Sequence, residues 1–295
     1  MLGGLLGRVL PPRTKVRLKK AKRTLEKSLA DMLFRHGPAE LAEGFSRLGI
    51  HRGETLLVHS SFRHDRGFTG SPQDVVECLR AAVGDEGNLL MVSLPFRTSA
   101  YDYLKTDPVF DVRRTLSQMG IVSEIFRRRP GVLRSLHPTH PVLALGRDAA
   151  WLIRDHEKST VPCGRETPFG KFRELGGKVL FYDVPFGTFT FIHHIEDLLA
   201  GSLPFSVYRD PPMPGRVVDE NGRTLVVPTR VFSEEAVRRR RPELLERRLR
   251  SKKLISGVRV GRTRLMLLKS DDAVREAMDM AAEGEFFYAG AGTRS

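Results

Sequence analysis

The run Lys178-Val179-Leu180-Phe181-Tyr182-Asp183-Val184, followed by Thr188-Phe189-Thr190-Phe191-Ile192-His193-His194-Ile195-Glu196-Asp197, decides how this chain is read. The first part is strand-like, rich in aliphatic and aromatic side chains. A helix over 189–200 then sets His193 and Glu196 at i and i+3 on one face. A carboxylate placed there fixes the tautomer of an imidazole and raises its basicity, which a proton-abstracting histidine needs near neutral pH. A strand ending at a helix N-terminus is also where α/β proteins bind anionic ligands. The chemistry is therefore expected here first.

Outward from this unit, strands and helices alternate. Leu41, Phe45 and Leu48 mark one side of a helix near 38–48 that stops at Gly49, and Thr55-Leu56-Leu57-Val58-His59 is a buried-type strand. Ser71-Pro72 supplies N-cap and N1 chemistry for a helix carrying Val75, Val76, Leu79 and Ala82. A strand at 88–94 follows, then an irregular stretch at 95–117 of a length that is usually functional. Next come a helix near 119–128, a strand near 140–145 and a helix near 148–155. Beyond Pro204 a hairpin over 215–232 turns at Glu220-Asn221-Gly222, and helices are expected near 234–253 and 270–283. The pattern predicts an α/β fold: a mostly parallel central sheet flanked by helices, plus a smaller C-terminal α+β part. The expected division is a basic extension over 1–35 and a single domain over 36–290, with 205–290 as its C-terminal subregion.

At 295 residues, with 40% hydrophobic and 28% charged side chains, the chain can bury a sizeable core. No apolar run reaches the roughly 18 residues of a membrane-spanning helix, and the start lacks the marks of a signal peptide. Cys78 and Cys163 imply no disulfide framework, so a reducing cytosol is expected. The net charge of +14 is concentrated in two places. Residues 1–35 hold ten Lys and Arg against two acids, a balance of +8, and residues 236–255 hold nine against two, a balance of +7. The rest is close to neutral. Neither segment has the aromatic interleaving of a single-strand binder, so nucleic acid is not expected as a partner. The run Arg238 to Arg241 reads as a solvated helix face. Residues 1–35, with Leu2, Leu5, Leu6, Val9 and Leu10 in front, are a candidate for peripheral contact with the inner face of a membrane.

Five elements stand in order along the chain. They are Leu57-Val58-His59-Ser60-Ser61-Phe62, then Gly84 to Met91, then Arg134-Ser135-Leu136-His137-Pro138-Thr139-His140, then Gly176-Gly177-Lys178-Val179-Leu180, and last Thr190 to Glu196. In order and spacing, from about residue 38 to about 285, they resemble the aminoglycoside 3-N-acetyltransferase family. The resemblance implies direct transfer of acetyl from acetyl-CoA to an amino group of an amino sugar in a ternary complex, without a metal. It implies His193 as the catalytic base, Glu196 as its orienting carboxylate, His59 as a second active-site position and Thr190 as a hydroxyl near the thioester.

The chemistry of acetyl transfer asks for further groups. Amides at the helix start near Thr190 are candidates for the oxyanion. The loop carrying Ser60, Ser61 and Arg63 is a candidate seat for the coenzyme pyrophosphate. Ser135 and His137 read equally as a coenzyme or substrate contact and as a self-satisfied rigid turn. Taken alone, His193 and Glu196 read as well as a solvated helix pair, and His59 as a core histidine. The histidines with Glu196 and Asp197 also raise a metal-dependent hydrolase, although no HExxH spacing occurs. For the acceptor, a polycationic drug would need carboxylates, with Asp102, Asp107 and Asp111 as candidates. The basic balance of the chain raises the alternative of an anionic nucleotide- or lipid-linked amino sugar. Oligomer formation is left open.

Overall fold

The computed structural model describes residues 14, 16, 20–22, 24, 25, 28 and 32–290. Leu2, Leu5, Leu6, Val9, Leu10 and most of the basic side chains of 1–35 lie outside the described residues. In chain order the strands are β1 Thr55–Ser60, β2 Asn88–Val92, β3 Val109–Asp111, β4 Leu133–Arg134, β5 Val142–Gly146, β6 Lys178–Tyr182, β7 Met213–Val218, β8 Thr224–Thr229, β9 Ile255–Val260 and β10 Thr263–Lys269. One sheet has the order β4-β5-β2-β1-β6-β10-β9, and β3, β7 and β8 form a second.

The main sheet is mixed, which corrects the expectation of a mostly parallel one. Only β1 with β2 and β1 with β6 pair in parallel; β2–β5, β4–β5, β6–β10 and β9–β10 are antiparallel. Linker length is one cause. Gly261-Arg262 joins β9 to β10, far too short for a crossover, so only a hairpin can form. The same hairpin corrects the notion of a smaller C-terminal α+β part, because β10 lies beside β6 in the main sheet and β7 pairs with β3.

Helices cover both faces. On one, Leu41 and Phe45 of Pro38–Leu48 and Val75 and Leu79 of Pro72–Val83 pack with Leu56, Val58, Leu180 and Leu265. On the other, Ile192–Leu199, Pro242–Ser251 and Ser270–Ala282 pack with Leu57, Val179, Phe181 and Leu268. Each such buried Leu, Val or Phe contributes about 1.5–3 kcal/mol relative to exposure. Local chemistry sets the helix ends: Ser71 Oγ accepts from the Asp74 amide, and Gly49 closes its helix in the left-handed conformation at φ 92°.

Two stretches differ from the sequence reading. The irregular segment 95–117 contains the helix Ala100–Lys105, capped by Ser99, and the strand β3. The helix expected over 234–253 is two, Glu234–Arg239 and Pro242–Ser251. Proline disfavours helical backbone in the residue before it, so the chain turns at Arg240-Arg241. There Arg240 forms a β-bridge with Tyr288.

Candidate active site

The parallel strands β1, β2 and β6 end at one edge of the sheet. The antiparallel neighbours begin there, since Val142 is opposite Val92 and Leu265 opposite Tyr182. His59 near the end of β1, His140 just before β5 and Asp183 just after β6 therefore meet at this edge. The helix Ile192–Leu199 sets Ile192, Ile195 and Leu199 into the core, leaving His193 on its partly open side.

His193 Nδ1 lies 2.7 Å from Glu196 Oε2. Glu196 is fully buried, and its carboxylate is braced from two later parts of the chain. Arg240 donates to both of its oxygens, at 3.0 Å to Oε2, and the Tyr288 hydroxyl donates to Oε1. Burial alone would push the Glu196 pKa up, but the bonds from His193 and Arg240 outweigh it and hold it at about 2. An ionised carboxylate accepts, so Nδ1 carries the imidazole proton and Nε2 is left as the basic atom. Burial lowers the His193 pKa below its usual 6.5 against the opposing pull of Glu196, so the ring is neutral at pH 7. Its side chain keeps 17% exposure, with Phe232 at 4.4 Å and His140 at 5.8 Å between ring centroids.

His59 is buried on the same face of the sheet as Phe181, whose ring lies 5.7 Å away. Burial and then the neighbouring His193 push its pKa down to about 4. Its Nε2 has no hydrogen-bond partner among the described residues. Native proteins seldom leave a buried polar atom unpaired without a functional reason.

Other expected site residues are placed differently. Thr190 lies in the turn before the helix, with Oγ1 3.4 Å from the Thr188 carbonyl. The amides of Ile192, His193 and His194 donate to the carbonyls of Phe189, Thr190 and Phe191, so those oxyanion donors are already engaged. Ser60 and Ser61 are half-buried, and the Ser61 amide is bonded to the Tyr182 carbonyl. Arg63 is half exposed, with Nε 3.4 Å from Asp65. Ser135 and His137 are fully buried. Ser135 Oγ is bonded to His156 and accepts from the Val142 amide. His137 Nδ1 accepts from the amides of Thr139 and His140, and its ring stacks on His156. The pair reads as interior support for the His140 segment.

Arg240, expected on a solvated face with the rest of its run, has a side chain only 15% exposed that stands over the Phe232 ring. Sequence reasoning missed it together with Tyr288 and Phe232, and named His140 only within the Arg134 to His140 element and among the histidines considered for a metal. For Arg240 the signal available was Pro242, which breaks the helix and lets one arginine of four turn inward. His194, adjacent to His193, faces the core with Nδ1 2.8 Å from the Cys163 carbonyl. The carboxylates considered for a cation site are engaged locally. Asp102 binds its cap residue Ser99, Asp107 pairs with Arg216, and Asp111 accepts from the Arg113 and Arg114 amides. No group of three potential metal ligands forms among the described residues.

The sequence profile of the aminoglycoside 3-N-acetyltransferase family matches residues 57–282. The chain belongs to this family. It is a family of acetyl-CoA-dependent N-acetyltransferases. The aminoglycoside N(3)-acetyltransferase III of Pseudomonas aeruginosa is 31% identical over 183 residues, covering 58% of this chain and 67% of that relative. A second relative, the aminoglycoside N(3)-acetyltransferase VII of Streptomyces paromomycinus, is 32% identical over 171 residues, 54% of this chain and 59% of its own length. Among solved structures, the aminoglycoside acetyltransferase AAC(3)-IVa apoenzyme superposes with a TM-score of 0.69 at 30% identity, over 85% of this chain and 91% of that one. A variant of AAC(3)-IVa was captured with a gentamicin, and AAC-IIIb with CoASH. The AAC-IIIb match, at 22% identity, is a likeness of fold.

Proposed function

We propose that this chain transfers the acetyl group of acetyl-CoA to an amine of an amino sugar, with residues 36–290 as the catalytic unit. His193 Nε2 takes the amine proton, and Glu196 stabilises the imidazolium that forms. The amine nitrogen attacks the thioester carbonyl; the tetrahedral oxyanion collapses and the C–S bond breaks. The thiolate leaves, and the proton held on His193 can return to it. The single observation carrying this reading is the His193–Glu196 bond at 2.7 Å, with the acid fully buried and braced by Arg240. General-base help of this kind contributes roughly 10²–10⁴-fold. His59, with its buried, unpaired Nε2 and its pKa lowered by burial and by the His193 charge, is assigned to the reacting thioester or amine. The hydroxyls of Ser60 and Ser61 and the Arg63 guanidinium are assigned to coenzyme binding, and the Thr190 hydroxyl to the thioester. The family names and the gentamicin-bound neighbour support an aminoglycoside acceptor.

A thiol-release assay with acetyl-CoA across a panel of amino sugars, run beside His193→Ala, tests the reading. Thiol release that depends on an amino sugar and falls at least a hundredfold in the variant supports it. Unchanged turnover in His193→Ala refutes the assignment of the base.

Peripheral membrane contact through residues 1–35 is part of the same proposal. It is supported by Val16, Leu25, Met32 and Leu33, at 67%, 61%, 71% and 63% exposure. Co-sedimentation with anionic vesicles, compared with a chain lacking residues 1–35, tests it; equal pelleting of both refutes it.

A further inference from the structure

A cavity of about 390 Å³ lies beside the catalytic edge of the sheet, away from the His193 ring. It is walled by Val184 and Phe186, by Arg250 of the helix Pro242–Ser251, and by Gly257, Arg259 and Arg264 of the β9–β10 hairpin. Arg259 and Arg264 face each other directly across the two strands. Side chains so placed have Cβ atoms about 4.5–5.5 Å apart, and like charges in that position are unfavourable. The cavity's carboxylate, Glu246, is held by Arg250 at 2.7 Å, and among the described residues no carboxylate pairs with Arg259 or Arg264. Gly257 leaves the floor open, although a Cβ there would meet only the Leu265 carbonyl, 3.8 Å away. The fold thus tolerates a side chain at 257 but does not have one. Two opposed guanidinium groups above an open floor match a phosphate group, which each can bind in bidentate fashion.

The wall ties this cavity to the chemistry. Val184-Pro185-Phe186 leads from β6 into the turn before His193, and the Asp183 amide is bonded to the Arg264 carbonyl. We propose that Arg259 and Arg264 form a phosphate-binding subsite for the phosphorylated part of a ligand of this enzyme, an extension that rests on the acetyl-transfer reading for the ligand's identity. The phosphate comes either from the coenzyme or from a nucleotide- or lipid-linked amino sugar.

The test is binding of pyrophosphate, followed by calorimetry, to the full chain and to Arg259→Gln/Arg264→Gln; this readout is independent of catalysis. Pyrophosphate affinity is expected to fall about tenfold or more in the double variant, and Gly257→Leu, which fills the floor, is expected to weaken binding while leaving both arginines in place. Thermal melts within a few degrees of the parent show that the variants are folded. Absence of pyrophosphate binding to the parent, or equal binding to the double variant, overturns the proposal. Three organic ligands then identify the source. A loss for CoA but not for dephospho-CoA assigns the site to the coenzyme's ribose phosphate; a loss for both assigns it to the coenzyme diphosphate. A loss confined to a nucleotide-linked amino sugar assigns it to the acceptor. A pyrophosphate effect with no change for any of the three marks an adventitious ion only and also overturns the proposal. If these binding results hold while no amino sugar is acetylated, the fault lies with the acetyl-transfer reading and not with the subsite.

Discussion

Replacing Arg240 by Met leaves a side chain that can still lie on Phe232 but removes two charged hydrogen bonds from a carboxylate with no exposure to water. Removing one partner of a buried ion pair costs about 3–5 kcal/mol, because the other charge is stranded. At roughly 2–4 °C per kcal/mol for a domain of this size, the melting temperature should fall by about 6–20 °C. The pH behaviour gives a second readout. The Glu196 pKa of about 2 is depressed below its usual 4.5, so the stability it contributes is complete above 4.5 and is lost as pH falls through about 2. Without Arg240 the folded-state pKa rises toward its usual 4.5, so the gap between the two states narrows and the loss of stability below pH 4.5 becomes smaller than in the parent. Arg240 also lowers the His193 pKa, so the rising limb of kcat/KM should move to higher pH in the variant. Circular-dichroism melts from pH 3 to pH 8 and a kcat/KM profile measure both. A variant that melts within 2 °C of the parent and keeps the parent pH profile would show that Arg240 does not brace the acid.

In the parent enzyme, kcat/KM should rise with pH through a value below 6.5 and then level off, since protonated His193 cannot accept a proton; initial rates over pH 4.5–8 check this. Glu196→Gln should lower kcat/KM by about 10²-fold or more and move the rising limb to lower pH, because the carboxylate raises the His193 pKa; the same profile decides it. Gly44→Leu should destabilise strongly, since even a Cβ there would sit 2.3 Å from Val260 Cγ2 and pry the helix from the sheet; overpacking of this kind costs about 1–3 kcal/mol, occasionally more, read from urea unfolding. Ser71→Ala should cost about 0.5–2 kcal/mol through the lost cap on the Asp74 amide, with turnover unchanged.

What could be read from the chain alone follows a physical divide. Local chemistry was legible: Ser71-Pro72 starting a helix, Gly49 ending one, and the i, i+3 spacing that brings His193 to Glu196. Strand direction was not. A buried strand such as β5 has the same apolar composition whichever way it runs, and only its register opposite β2 reveals the antiparallel sense. Likewise a run of four arginines looks uniform, and the inward turn of Arg240 depends on a carboxylate 44 residues earlier. For Ser135 and His137 the sequence left a ligand contact and a self-satisfied turn equally open, because the partners they meet, His156 and the Val142 amide, are supplied by later residues.

The brace on Glu196 is assembled only after two later segments have been synthesised. Its acid and imidazole are adjacent on one helix, yet the phenol that completes the arrangement comes 92 residues after the acid. A nascent chain that has released the whole central sheet strand β6 and the His193 helix still lacks both outer clamps. The brace is therefore complete only once the segment carrying Tyr288 has docked, and a proteolytic cut between residues 240 and 288 would sever that phenol's segment from the acid while leaving His193 and Arg240 on the same piece of chain.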